Sequence, residues 1–147
     1  MRKILLRYTH QFYLILITML SILTILACSD NATEPQKEIV LPEKGLNFET
    51  HIKPLFINKC ASGSGCHSAF NPANGLNLTD YQTIMTHFAA GTEQLVIPGQ
   101  ADQSFLYNIL LGPLLGIPRM PPDLPPLNSN NINGVKTWIN EGAEQFP

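Results

Sequence analysis

The chain has 147 residues, with 9 Lys and Arg against 11 Asp and Glu and a net charge of −2. That length serves one domain and leaves no room for two comfortable ones. Arg2, Lys3 and Arg7 all fall in the first few residues; without them six basic residues face eleven acidic ones, a net −5 with no basic stripe, which excludes a nucleic-acid binder. An acidic domain of this kind suits a partner with a basic face.

The basic start is followed by an apolar run from Phe12 to Ala27, broken only by Thr18, Ser21 and Thr24. A basic start, an apolar middle and small residues at the end are the marks of a secretory signal, here over 1–27. The alternative is a retained transmembrane anchor, for which the run is short against the ~20 apolar residues a bilayer requires. Ile25-Leu26-Ala27-Cys28 resembles the bacterial lipobox, in which the cysteine is lipidated and becomes the mature N-terminus. Long acyl chains on Cys28 make a stable anchor, since each buried CH₂ contributes about 0.8 kcal/mol. Ser29 rather than an aspartate follows Cys28, which points to the outer membrane, facing the periplasm or the cell surface. Residues 28–45 are polar and carry Pro35 and Pro42 without an apolar period; they read as a flexible tether.

The domain is expected over 46–147. Phe48, Ile52, Leu55 and Phe56 recur at the spacing of one helix face, and Pro54 inside that pattern belongs in a first turn or at a kink. A second helix is expected over Tyr81–Phe88, capped by Asp80 or Thr79. A third follows Pro98-Gly99, with Asp102 as its cap and Phe105, Leu106, Ile109 and Leu110 turned inward. A stretch rich in proline and glycine, 112–127, then leads to a fourth helix over about 130–140. That helix carries Ile132, Val135, Trp138 and Ile139 on one side and ends before Gly142. No strand alternation persists, so the class expected is all-α: three to five short helices joined by long ordered loops. So much irregular backbone in so small a core calls for a central group or a staple.

The chemistry concentrates in Cys60-Ala61-Ser62-Gly63-Ser64-Gly65-Cys66-His67. Two thiols can add across the vinyl groups of a haem, and a histidine directly after the second can reach the iron; the usual spacing is Cys-x-x-Cys-His. Here five residues separate the thiols, and Gly63 and Gly65 suit an outward bulge. A disulfide across a small turn is the main rival, and a zinc site lacks evident partner ligands. Met120, flanked by Pro118, Pro121 and Pro122, is a candidate second axial ligand on a stiff loop, or else a core gap-filler. His51 and His87 are lesser candidates for the same role, and Met85 belongs to the core.

Several further pieces occur in order along the same hundred residues: Phe48-Glu49-Thr50-His51-Ile52-Lys53-Pro54-Leu55-Phe56, Cys66-His67, Gly75-Leu76-Asn77-Leu78, Ile97-Pro98-Gly99 with Ser104-Phe105-Leu106-Tyr107, Arg119-Met120-Pro121-Pro122, and Trp138-Ile139-Asn140-Glu141-Gly142-Ala143. With these the chain resembles the planctomycete-type cytochrome c-like domains. The resemblance implies a cytochrome c-like fold around one covalent haem c, in which the first and last helices cross. It implies Cys60 and Cys66 as the haem attachments, His67 as proximal and Met120 as distal iron ligand. Asn77, Leu78 and Tyr107 would support the pocket; a metal-bound histidine usually has an orienting partner, for which Asn71 and Pro72 lie near enough in sequence to be candidates. The function implied is single-electron transfer between exported redox proteins, not enzymatic catalysis. Two alternatives stand beside it: a haem sensor or peroxidase-like protein with an open iron site, and a haem-free surface binding module stapled by a Cys60–Cys66 disulfide.

Overall fold

The computed structural model describes residues 38–62, 66–70 and 72–147. The expected signal 1–27 and the lipid-bearing Cys28 lie outside the described residues, as does 28–37 of the expected tether. Residues 39–147 form one compact unit. No helix among the described residues is long and apolar enough to cross a membrane.

The first helix begins as Asn47 caps it. Asn47 Oδ1 accepts the Thr50 N–H at 2.9 Å, while the Asn47 N–H donates to His51 Nδ1 at 3.1 Å. This is a reciprocal cap in the manner of a capping box, with the returning side chain supplied by His51 one residue beyond the place usually held by Glu or Gln. Phe48–Ile52 winds as a π-helical turn, and α1, Lys53–Lys59, continues from it. Pro54 sits in the first turn of α1, where a missing N–H costs nothing. Phe48, Ile52, Leu55 and Phe56 are all fully buried.

α2 spans Tyr81–Thr86, with Asp80 Oδ1 accepting the Thr83 N–H at 2.7 Å as its cap. α3 spans Phe105–Leu111 and starts from Ser104, not from the expected Asp102. A separate 3₁₀ turn, Ala101–Gln103, holds Asp102, whose carboxylate pairs with Lys136 at 2.9 Å. The Ser104 hydroxyl is spent on the preceding loop, accepting the Ile97 N–H at 2.9 Å and donating to Gln100 O at 2.9 Å. α4 spans Ser129–Asn140; Asn128 Oδ1 caps it by accepting the Asn131 N–H at 2.8 Å.

The all-α expectation is corrected: the fold is mixed, with about 41% of the described residues helical and a small antiparallel sheet. β1 (Phe88–Ala89) pairs with β2 (Glu93–Gln94) in the register Phe88↔Gln94 and Ala89↔Glu93. Ala90 and Gly91 take the left-handed conformation at φ 48° and 83°, and the Thr92 N–H closes the turn on Ala89 O at 3.2 Å. Strands of two residues are too short for period-two alternation to register in a sequence. α2 correspondingly stops two residues before its expected end at Phe88.

The last helix packs on the π-helical turn through Phe48 and Trp138, whose ring centroids lie 6.0 Å apart. Trp138 is fully buried, and its indole N–H donates to Glu144 O at 3.0 Å. The start of the unit is laid against α4 as well. Asn130 grips Leu41 by both amide atoms, accepting its N–H at 2.8 Å and donating to its carbonyl at 3.0 Å. Asn131 Nδ2 donates to Ile39 O at 2.7 Å. Leu41 then drops onto Gly134, where any Cβ would collide with it. Residues 39–41, read in sequence as part of the tether, are thus held as an extended strap.

Two outcomes follow. Trp138→Ala should cost about 3–5 kcal/mol in urea denaturation, through the cavity and the lost indole bond; a loss under about 1 kcal/mol would show that the core does not rest on it. Asn130→Ala should speed amide exchange at Leu41 selectively, leaving the exchange of α3 unchanged.

Candidate functional site

Cys60 sits at the C-terminal end of α1, where its N–H donates to Phe56 O at 2.8 Å. Its side chain packs against the core, half-buried as a residue. Burial pushes the thiol up to about 12, with Cys66 nearby adding to the effect. Cys66 is exposed. Both thiols are free in the structure.

Backbone hydrogen bonds bring the second cysteine back to the first. The His67 N–H donates to Cys60 O at 3.1 Å, the Ala73 N–H to Cys66 O at 3.1 Å, and the Leu78 N–H to His67 O at 2.9 Å. Cys66 and His67 are thereby clamped between the end of α1 and the segment 73–78. Asn74 and Gly75 bend that segment, both at positive φ (52° and 74°). Of the residues expected to support a pocket, Leu78 braces His67 through this backbone bond. Asn77 Oδ1 accepts instead from the Thr79 N–H and hydroxyl, at 2.9 and 2.7 Å. Tyr107 is buried under Lys136 Nζ, 5.0 Å from its ring centroid.

The half-buried His67 ring faces Leu76 O, 3.3 Å from Nδ1. Burial holds this imidazole below the ordinary histidine range, the Leu76 carbonyl works against that, and His87 reinforces it. Of the two candidates for orienting this ring, the Pro72 carbonyl accepts from the Gly75 N–H at 3.0 Å, and Asn71 lies outside the described residues. The signal for Leu76 was present only as Gly75-Leu76; a backbone acceptor has no residue-type signature.

Met120 lies on the loop after α3. Its N–H donates to Ile109 O at 2.9 Å, and its side chain is half-buried against the core. The Met120–Pro121 peptide is cis. Arg119 straps this loop, its guanidinium donating to Met120 O at 3.3 Å and Leu124 O at 3.0 Å. Leu114 and Ile117 exchange backbone hydrogen bonds at 3.0 and 2.9 Å. His51 is committed to the Asn47 cap, which occupies its Nδ1.

The residues do not fit a covalent haem c, and that expectation is corrected. Among the described residues no group of three or more His, Cys, Asp or Glu is placed to hold a metal ion. The Cys-x-x-Cys-His arrangement is replaced by a five-residue spacing. Cys60 is packed on the core and Cys66 faces solvent. No role of Cys60, Cys66, His67 or Met120 on a haem is carried further.

The chain matches no protein-family model, no curated protein and no solved structure.

The lowered His67 sets a pH dependence. The unfolded imidazole takes up a proton near its ordinary pKa of about 6.5 while the folded one resists. Stability is therefore full above that value and falls as pH drops from about 7 towards 5. His67→Gln should flatten this part of the profile, read from urea midpoints at both pH values; an unchanged slope would assign it to other groups.

Proposed function

We propose that this chain is an exported, lipid-anchored, haem-free module, stapled by a disulfide between Cys60 and Cys66, that works by holding a protein partner and not by catalysis. The observation that carries this reading is the closure of the chain on itself at the cysteines. The His67 N–H to Cys60 O bond returns residue 67 to the end of α1 and brings Cys66 beside Cys60. A pair of thiols in an exported protein, close together and without a metal-ligand set around them, has a disulfide as its ordinary fate. Formation removes two protons and two electrons, which the thiol oxidants of an exported compartment accept.

The staple is worth a small but useful amount. Closing a seven-residue ring removes about 2 kcal/mol of unfolded-chain entropy in the loop-closure account. That is a fair share of the stability of a small domain, commonly 5–15 kcal/mol. It also answers the need for a staple that the many prolines and short helices create.

The partner face we assign to the loop after α3. Leu111 at the end of α3 and Leu115 and Leu124 in the loop are exposed. The backbone beneath them is held by the Leu114–Ile117 bridge, the Met120–Ile109 bond and the Arg119 strap. A loop already ordered loses little freedom on binding, so its exposed apolar side chains are efficient contacts.

Protein purified from the exported fraction of a host competent in haem attachment should contain no free thiol and weigh 2 Da less than the reduced polypeptide with its lipid. Reduction should lower the urea midpoint by the equivalent of about 2 kcal/mol. Two free thiols, or a covalent adduct on either cysteine, would overturn the reading.

A further inference from the structure

The two thiols of the proposed staple are not equivalent, and their difference assigns a direction to the chemistry. Cys66 is exposed, on a backbone fixed from both sides by the Ala73 and His67 hydrogen bonds. Cys60 is packed against the core at the end of α1, its own N–H and that of Ala61 both tied to Phe56 O at 2.8 and 2.9 Å. An attacking thiol must reach its target in line, so access decides which sulfur exchanges first. We infer that Cys66 is a thiol-exchange site for the disulfide of a small thiol, with Cys60 as the resolving residue, so that the staple opens and closes through a mixed disulfide at Cys66. This inference rests on the disulfide reading of the pair.

The steps balance. The Cys66 thiolate attacks one sulfur of the small disulfide; a bond forms from Cys66 Sγ to that sulfur, the small molecule's S–S bond breaks, and one thiolate leaves. Cys60, giving its proton to solvent, attacks Cys66 Sγ; the internal disulfide forms and the second small thiolate leaves. The two electrons lost by the cysteines reside on the two small thiols. In reverse, a small thiolate attacks Cys66 Sγ, the accessible end, and Cys60 departs to take up a proton in its packed site. Attack at Cys60 would require the end of α1 to open. The same asymmetry confines a lasting adduct to Cys66, because a group on Cys60 would have to be housed against the core.

The test uses the reduced mature chain with oxidised glutathione as the probe, quenched in acid and mapped by peptide mass. The wild type should end with the internal disulfide and no retained glutathione. Cys60→Ser should trap one glutathione on Cys66, and Cys66→Ser should be modified at Cys60 at least tenfold more slowly. A substoichiometric alkylating agent on the reduced wild type should label Cys66 first, which guards against a variant that fails to fold. If the wild type ends with a glutathione on each cysteine and no internal bond, the disulfide reading fails and this inference with it. If the internal bond forms but Cys60 is labelled as fast as Cys66, the staple stands and the assigned direction is wrong.

Discussion

The carbonyl of Glu144 is the point on which the rest of the structure depends. It accepts the Trp138 indole N–H at 3.0 Å and the Phe48 N–H at 2.9 Å. Those two bonds join the last helix, the first helical turn and the C-terminal segment at one carbonyl oxygen. The Phe48 and Trp138 rings pack beside it, with Tyr81 against Phe48 at 5.5 Å between centroids. The Tyr81 hydroxyl donates to Ala143 O at 2.9 Å and so brings α2 to the same place. A carbonyl has two lone pairs, and using both for donors on different segments makes one group the junction of three segments. Among the described residues no buried side-chain nitrogen or oxygen lacks a partner.

The position of the cysteines is a consequence of this junction. α1 grows from the π-helical turn that Phe48 opens, and Cys60 is where α1 ends. The depth of Cys60 is therefore set by the packing of Ile52, Leu55 and Phe56, all fully buried. Cys66 is tied to the 73–78 segment through its carbonyl, which accepts from the Ala73 N–H, and to the end of α1 through the His67 N–H. The two thiols differ in exposure, and a difference in exposure becomes a difference in reactivity.

The strap at 39–41 ties the same helix from its other end. Asn130 mimics a neighbouring strand by giving one acceptor and one donor to the same residue, and Gly134 leaves the space Leu41 fills. Val40 between them faces outward, so the strap has the in–out alternation of a strand without lying in a sheet. The 3₁₀ turn and the loop before it are lashed to the far end of α4, by Gly99 N–H to Ile139 O at 2.7 Å and Ala101 N–H to Asn140 Oδ1 at 3.0 Å. Both ends of one helix thus carry chain from elsewhere, which is how a fold with short elements keeps its loops ordered.

Local patterns in the sequence determined the helices. The spacing of Phe48, Ile52, Leu55 and Phe56, the Asp80 cap, the apolar side of α4 and the place of Pro54 all act within a few residues, and each is where it was expected. The sequence also determined that Cys60, Cys66 and His67 form a single unit, since they are neighbours in the chain. What it did not determine depends on partners far away in sequence. Asp102 looked like a cap, and Lys136 claimed it instead. His51, a lesser candidate for an iron ligand, is spent on Asn47. The Ala90-Gly91 hairpin is too short to have a period, and the strap at 39–41 is legible only once Asn130 and Gly134 stand opposite it. The difference between the two thiols is of the same kind: side by side in a motif they look alike, and only burial against the packed core tells them apart.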